Sequence, residues 1–177
     1  LKVREGPPEG VLFLLPADSL AGVLPTIRSR CISFAVAPVS PEECARWCIG
    51  QGVDKKQARL YSELFDGHIG TVLAAARDDA RREQVEKALT LAKAAAAHDS
   101  YAAAVLLAGY EKDKAAAAAL RGDFRAVAAA GLRGCASTPL TADAARRALS
   151  LADTAIQRLA AQVNPKITLS VLAAKLG

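Results

Sequence analysis

The pattern of apolar and polar positions along the chain changes near residue 40. Before that point, a continuous apolar run of five residues, Val11–Leu15, ends at Pro16. Such a run is typical of a strand that is buried on both faces in the parallel sheet of an α/β domain. Ile32–Val36 is the only other stretch with β-like composition. We therefore expect the remaining strands of this sheet to lie upstream of residue 1.

From residue 40 onward the signals are helical. Ser40–Glu43 combines an N-cap serine, a proline at the first helical position and a glutamate at the third, so it predicts a helix that stops at Gly50 or Gly52. Asp54 predicts the cap of a second helix, which Gly67 ends. A third helix is expected from about residue 68 to residue 78. Three short helices of this kind indicate a small compact domain.

Longer helices are predicted for the rest of the chain. An amphipathic stripe at spacings of 4, 3 and 4 is formed by Val85, Leu89, Ala92 and Ala96. Residues 101–133 are rich in alanine, and we expect breaks at 109–114 and at Gly122-Asp123, followed by a loop over 131–139. Thr141 opens a helix whose expected inner face is Ala145, Leu149, Ala152, Ile156, Leu159 and Val163. Asn164-Pro165 caps the last helix, in which Ile167, Val171, Leu172 and Leu176 are expected to face inward.

Composition limits the class of protein. The chain has 177 residues and a net charge of +5, from 23 Lys and Arg against 18 Asp and Glu. This excess is compatible with an anionic partner but does not require one. No apolar run reaches the roughly 18 residues of a membrane helix, and no signal peptide precedes the first run, so we expect a cytoplasmic protein. The chain contains no methionine, and we read it as a fragment.

The four cysteines, Cys31, Cys44, Cys48 and Cys135, are too few for a disulfide scaffold in a chain of this length. Cys44 and Cys48 share one helical face, but zinc would need two more soft ligands. His68 and His98 are remote from them in sequence. We therefore expect reduced, structural thiols and no bound metal.

No active site is apparent within the chain itself. It contains no glycine-rich phosphate loop and no nucleophile with a histidine partner in a supporting context. For His68, a capping or packing role is favoured over catalysis. Arg28 and Arg30 follow the predicted strand, and the carboxyl ends of parallel strands face the ligand crevice of an α/β domain. Guanidinium groups at that edge suit phosphate, although two loop arginines are more often simply solvated.

The segment around these arginines resembles a known family. It consists of a buried apolar run followed by Leu24-Pro25-Thr26-Ile27-Arg28-Ser29-Arg30-Cys31, and it is preceded by Leu1-Lys2, Glu5 and Pro7-Pro8. This arrangement is similar to the clamp-loader branch of the AAA+ ATPases, in which Ser-Arg-Cys is a hallmark. The motif covers about the first 31 residues. A weaker likeness extends to the three short helices and to the closing Asn164-Pro165-Lys166.

The resemblance implies a mainly α fold in three parts. Residues 1–37 would be the C-terminal remnant of an α/β AAA+ domain, residues 38–79 a three-helix lid, and residues 80–177 an α-helical collar bundle that mediates oligomerisation. Arg30 would be an arginine finger that acts in trans, and Ser29 and Cys31 would shape its turn. ATP would be bound by the neighbouring subunit, so this chain would hold no cofactor of its own.

Two departures from the pattern of active ATPases imply a subunit that does not hydrolyse ATP. Pro16-Ala17 stands where active members carry a polar sensor residue, although Asp18 follows. Gly70 stands where the lid of active members carries a sensor arginine. No activity is therefore expected from this chain alone.

The implied partners are the γ/τ ATPase subunits and δ, with the sliding clamp and primed DNA contacted through the complex and no membrane involved. Alternatives remain open. The nearest is a fragment of a γ/τ-type ATPase subunit. An unrelated helical adaptor or scaffold would explain the alanine-rich bundle equally well. A helical domain that binds nucleic acid would need a basic stripe, whereas Arg81-Arg82 and Arg146-Arg147 are isolated pairs flanked by acids.

Overall fold

The structure is a computed structural model that describes residues 9–17, 19–37, 39–161 and 163–176. Leu1-Lys2, Glu5, Pro7-Pro8 and Asp18, which the resemblance used, lie outside the described residues. The chain divides into two compact units, Leu1–Ala37 and Pro38–Gly177.

The described part of the first unit contains a single turn of 3₁₀ helix, Leu20–Gly22, and a short helix α1, Pro25–Arg28, but no strand. The strands predicted at Val11–Leu15 and Ile32–Val36 do not form. The large apolar side chains of both stretches are solvent-exposed, from 43% at Val11 to 94% at Val36. A strand needs a neighbour with which to exchange backbone hydrogen bonds, and the described residues of this unit offer none. The α/β character expected of the first unit is therefore absent from the described residues.

The second unit is helical, as the periodicity predicted. Its helices are α2 Pro41–Gly50, α3 Lys55–Leu64, α4 Ile69–Arg77, α5 Asp79–Ala96, α6 Ser100–Ala108, α7 Lys114–Leu132, α8 Ala142–Ala160 and α9 Pro165–Leu176. α7 packs on α5 and α8, and α9 packs on α6 and α8. The division between residues 79 and 80 into two domains stays a prediction. None of the helices in the described ranges is long and apolar enough to cross a membrane.

The helix starts lie where the capping residues predicted them. The Ser40 hydroxyl accepts a hydrogen bond from the Glu43 N–H at 3.2 Å, and Asp54 accepts from the N–H of Lys56 at 2.9 Å. Thr141 and Asn164 cap α8 and α9 in the same way. These side chains satisfy N–H groups that have no partner within the helix, which explains why local sequence positioned the helices well.

The turn after α3 requires a glycine. Gly67 has a φ of +75°, and its Cα lies against the backbone of Val39, so that a Cβ atom would overlap the Val39 carbonyl. Both the left-handed backbone and the close approach exclude a larger residue. The Gly67 N–H donates to the Ser62 carbonyl at 3.1 Å and closes the end of α3.

The break predicted at Gly122-Asp123 is wrong, because α7 runs unbroken through both residues. Asp123 is nearly buried and forms an ion pair with Arg81 of α5, so a tertiary contact stabilises the helix at this point. Its neighbours Leu120 and Phe124 are fully buried. Packing of this apolar face outweighs the local preference of Gly-Asp for a turn.

The core of the second unit is built largely of alanine, which accounts for about half of the buried apolar residues described. On α8 the buried face consists of Ala145, Ala148, Ala152 and Ala155. Because methyl side chains let neighbouring helices approach closely, these alanines alone form the buried face among the described side chains of α8. The expected inward positions Ile156, Val163 and Ile167 are wrong, because these side chains are 37%, 39% and 58% exposed.

Candidate functional site

The turn that carries Arg30 is built by a short stretch of local hydrogen bonds. Pro25 occupies the first helical position of α1, where its missing N–H costs nothing. The Ser29 N–H donates to the Pro25 carbonyl at 3.0 Å, and the Arg30 N–H donates to the Ile27 carbonyl at 3.0 Å. The chain therefore leaves α1 in a tight helical turn, with Arg30 at its end.

Ser29 supports this turn with its side chain as well. Its hydroxyl donates to the carbonyl of Thr26 at 3.3 Å, one helical turn earlier. Ser29, Arg30 and Cys31 are all exposed. Within the described part of the chain, the Arg30 side chain makes no ion pair or hydrogen bond. A guanidinium presented in this way can reach an anion on another molecule, and its planar paired donors suit phosphate.

The expected sensor position lies at the start of α4. His68 is the N-cap residue, but its side chain is exposed and makes no capping hydrogen bond. Gly70 is also exposed, and a Cβ atom there would meet nothing within 4 Å. A larger side chain would therefore fit at residue 70. The absence of an arginine there is a property of the sequence and not a steric requirement of this fold.

Cys44 and Cys48 lie one turn apart on the same face of α2, and neither has any exposed surface. Burial, together with the neighbouring Cys44 thiol, raises the pKa of the Cys48 thiol to about 11. All four described cysteines are free thiols. The described residues contain no cluster of three or more metal-binding side chains. A neutral buried thiol is a poor nucleophile, and both side chains belong to the apolar core.

An open groove lies between α6 and α9. It has a volume of about 320 Å³, and Tyr101, Leu107, Leu169 and Ala173 are among the side chains that line it. Its one carboxylate, that of Glu111, is 3.8 Å from the Lys166 ammonium. The lining contains no histidine, cysteine or second acid that could act with this carboxylate. The groove therefore offers shape and apolar surface but no constellation for acid–base or nucleophilic chemistry.

Three arginines of the second unit, which are buried or make long-range contacts, were missed by sequence reasoning. Arg81 pairs with Asp123, and that hydrogen bond raises the pKa of the Arg81 guanidinium. Arg121 is only 4% exposed, and burial lowers the pKa of its guanidinium. Arg133 binds carbonyl oxygens at the end of α3. The sequence carries no local signal for these contacts, because each depends on residues 40 or more positions away or on the packing of whole helices.

Comparison of the chain with models of protein families, with curated proteins and with solved structures found no match.

Proposed function

We propose that this chain is the C-terminal portion of a non-hydrolysing δ′ subunit of the bacterial DNA polymerase III clamp loader. In this proposal, Arg30 is an arginine finger for ATP bound by a neighbouring γ/τ subunit. Residues 38–79 would form the lid, and the helices of residues 80–177 would supply the collar that joins γ/τ and δ. The complex places the sliding clamp on primed DNA in the cytoplasm.

The observation that carries the proposal is the state of Arg30. The residue lies in Leu-Pro-x-x-Ile-x-Ser-Arg-Cys, and the turn after α1 leaves its side chain exposed with no partner among the described residues. The sequence contains no phosphate loop for this arginine to serve in cis. A guanidinium placed against the transferred phosphoryl group stabilises the charge that develops there, which in GTPases contributes about 10³–10⁵ in rate.

The exposed apolar stretches of the first unit support the same proposal. Val11–Leu15 and Ile32–Val36 have strand-forming composition, yet their large side chains are solvent-exposed. Such surface is unfavourable in water and is typical of segments that pack against additional protein. A sheet of an AAA+ domain would accommodate both stretches as strands.

The test is to rebuild the full loader with Arg30→Ala or Arg30→Lys in the full-length subunit. We expect either change to slow ATP turnover at the adjoining site by at least about a hundredfold, because lysine keeps the charge but loses the planar pair of donors. Thermal melting of the subunit should stay unchanged, since exposed substitutions usually fall within about 0.5 kcal/mol.

Arg28→Ala is the matched control for this experiment. Arg28 is also exposed and lies two residues away at the end of α1, so its removal takes away one positive charge without affecting the proposed finger. ATPase at the wild-type rate in both Arg30 variants, with normal melting, would contradict the assignment. Equal losses in Arg28→Ala and Arg30→Ala would indicate a general charge effect instead.

Two measurements distinguish the δ′ proposal from a γ/τ-type subunit and from an unrelated helical adaptor: ATP binding by the full-length subunit, and its assembly with the other loader subunits. A γ/τ-type subunit would bind ATP in its full-length form, which isothermal titration with ATP and magnesium detects. A helical adaptor unrelated to ATPases would neither bind ATP nor assemble with γ/τ and δ. The δ′ proposal expects assembly without hydrolysis by this subunit.

A further inference from the structure

The second unit contains a junction of a single residue. α4 ends at Arg77 and α5 begins at Asp79, so Asp78 alone connects α2–α4, the three-helix segment, to α5–α9, the five-helix segment. Asp78 is extended, with φ −103° and ψ 116°. Its N–H donates to the Ala74 carbonyl at 3.0 Å, and its carboxylate accepts from the Ala80 N–H at 2.9 Å. One residue thus closes one helix and caps the next.

A junction of this kind can act as a hinge, because rotation about a few backbone bonds changes the angle between the two helices. Asp78 donates to one carbonyl of α4, and its carboxylate accepts from two N–H groups in the first turn of α5, those of Ala80 and Arg81. A rotation at this residue leaves the other hydrogen bonds within each helix in place. The angle is held by the packing of α3 and α4 on α7 and α5, and by polar contacts at the end of α3.

Such contacts exist at the end of α3, where the loop between α7 and α8 is attached. Arg133 donates through one Nη nitrogen to the Glu63 carbonyl at 3.0 Å and to the Leu64 carbonyl at 3.4 Å. Its Nε lies 3.5 Å from a carboxylate oxygen of Asp66. The Ser137 hydroxyl donates to the Glu63 carboxylate at 2.5 Å. We call residues 133–140 the latch loop.

These contacts are directed at groups that lack partners within α3. The last carbonyls of a helix have no N–H to bind, and a cation near them is favoured by the helix dipole. Arg133 supplies both the donors and the charge. Beside it, the Arg81 guanidinium lies 5.7 Å from the centre of the Phe65 ring and pairs with Asp123, so α5 and α7 also hold the end of α3.

We propose that the three-helix segment is hinged at Asp78 and is held closed by the latch loop through Arg133. Loss of the Arg133 contacts lets the segment swing away from α7 while each segment keeps its own helices. A partner that engages the carboxylates of Glu63 or Asp66 would release it in the same way.

The first test is hydrogen exchange of the 177-residue chain with Arg133→Ala. We expect exchange of residues 61–67 and 133–140 to rise about tenfold, which corresponds to the loss of about one hydrogen bond to charge. Exchange in α8 and α9 should stay unchanged. Arg125→Ala is the control, because Arg125 lies on α7 and has an exposed ion pair with Asp153, and not with α3. Unchanged exchange in Arg133→Ala, or an equal rise in all helices, overturns the proposal.

The second test measures the swing itself. Spin labels at Arg59→Cys and Arg146→Cys report the distance between α3 and α8, in a chain that also carries Cys31→Ser and Cys135→Ser. Both label positions are exposed, whereas Cys44 and Cys48 are buried from the reagent. We expect one narrow distance in the parent and an additional longer one in Arg133→Ala. A single unchanged distance overturns the hinge even if exchange rises.

A milder variant covers the case in which Arg133→Ala does not fold, as judged by circular dichroism. Ser137→Ala removes one latch contact and leaves Arg133 in place. It should give the same longer distance at a smaller population, and a distance identical to that of the parent overturns the proposal.

Discussion

Burial decides the chemistry of individual side chains in this protein. Cys44 and Cys48 carry the same thiol group as Cys31. Cys31 is exposed, whereas Cys44 and Cys48 lie on the inner face of α2 and have no exposed surface. For Cys48 this burial disfavours the thiolate form, because the charged form loses its hydration, and the pKa is raised. The same effect lowers the pKa of the Arg121 guanidinium.

The raised pKa of Cys48 predicts how stability changes with pH. The thiol titrates near pH 9 when unfolded and near 11 when folded, so below pH 9 it is protonated in both states and its contribution to stability is complete. Between pH 9 and 11 the unfolded chain loses this proton and the folded chain keeps it. Stability should therefore fall by up to about 1.4 kcal/mol for each pH unit in this window.

The measurement is chemical denaturation of the wild type and of Cys48→Ala at pH 8, 9, 10 and 11. The variant cannot lose a proton at this position, so the difference in unfolding free energy between the two proteins should shrink as the pH rises. Groups that titrate in both proteins and lie away from residue 48 cancel in that difference, whereas the neighbouring Cys44 interacts with the Cys48 thiol. A difference that stays constant would contradict the raised pKa.

At the scale of a helix, α7 shows two glycines with opposite roles. Gly122 lies on the exposed side, and a Cβ atom there would meet nothing within 4 Å. A Cβ at Gly131 would lie 2.8 Å from the Ala145 Cβ and 3.3 Å from the Leu140 Cβ. One glycine is therefore replaceable, and the other lets α7 approach α8 closely.

We expect Gly122→Ala to raise the free energy of unfolding by about 1 kcal/mol, because alanine is the better helix former. Gly131→Ala gains the same propensity but crowds α8, and it should lower stability by about 1–2 kcal/mol net. Urea denaturation of both variants is the measurement. Equal effects in the two variants would show that packing against α8 does not decide the role of Gly131.

Sequence predicted the helices of the second unit well and their contacts poorly. Caps such as Ser40, Asp54 and Thr141 act within three residues, so the sequence reveals them directly. The continuation of α7 past Gly122 depends on an ion pair between residues 81 and 123, which no local pattern contains. Strand formation at Val11–Leu15 depends on neighbours, and an apolar run alone does not supply them.

In the candidate site, too, local features could be predicted from the sequence and long-range contacts could not. The exposure of Arg30 follows from a tight turn whose hydrogen bonds join residues three or four apart, and it was predictable. The attachment of Arg133 to the end of α3 joins residues about 70 apart. Long-range contacts of this kind require the fold to be known, which is why the latch loop carried no signal in the sequence.

At the scale of the whole molecule, the two units differ in how they are held together. Among the described residues, the continuous apolar core consists of residues from Cys44 to Leu176, all in the second unit. In the first unit the large apolar side chains are exposed instead. The second unit therefore has the properties of a domain with its own core.

We expect a fragment of residues 38–177 to fold independently, because its core is complete without residues of the first unit. Its circular dichroism should remain helical, and its melting temperature should lie within about 4 °C of that of the whole chain, equivalent to less than about 1 kcal/mol. Thermal melting of both proteins is the measurement. Non-cooperative melting of the fragment would show that the first unit contributes to the core.

The alanine core of the second unit has a thermal consequence. An alanine exposes much less apolar surface on unfolding than a leucine, and this surface determines the increase in heat capacity. The increment should therefore lie below the usual value of about 12–15 cal/mol/K per residue. A small increment flattens the curve of stability against temperature. The bundle should lose stability only gradually on cooling, and it should resist cold denaturation better than a leucine-rich bundle of equal melting temperature.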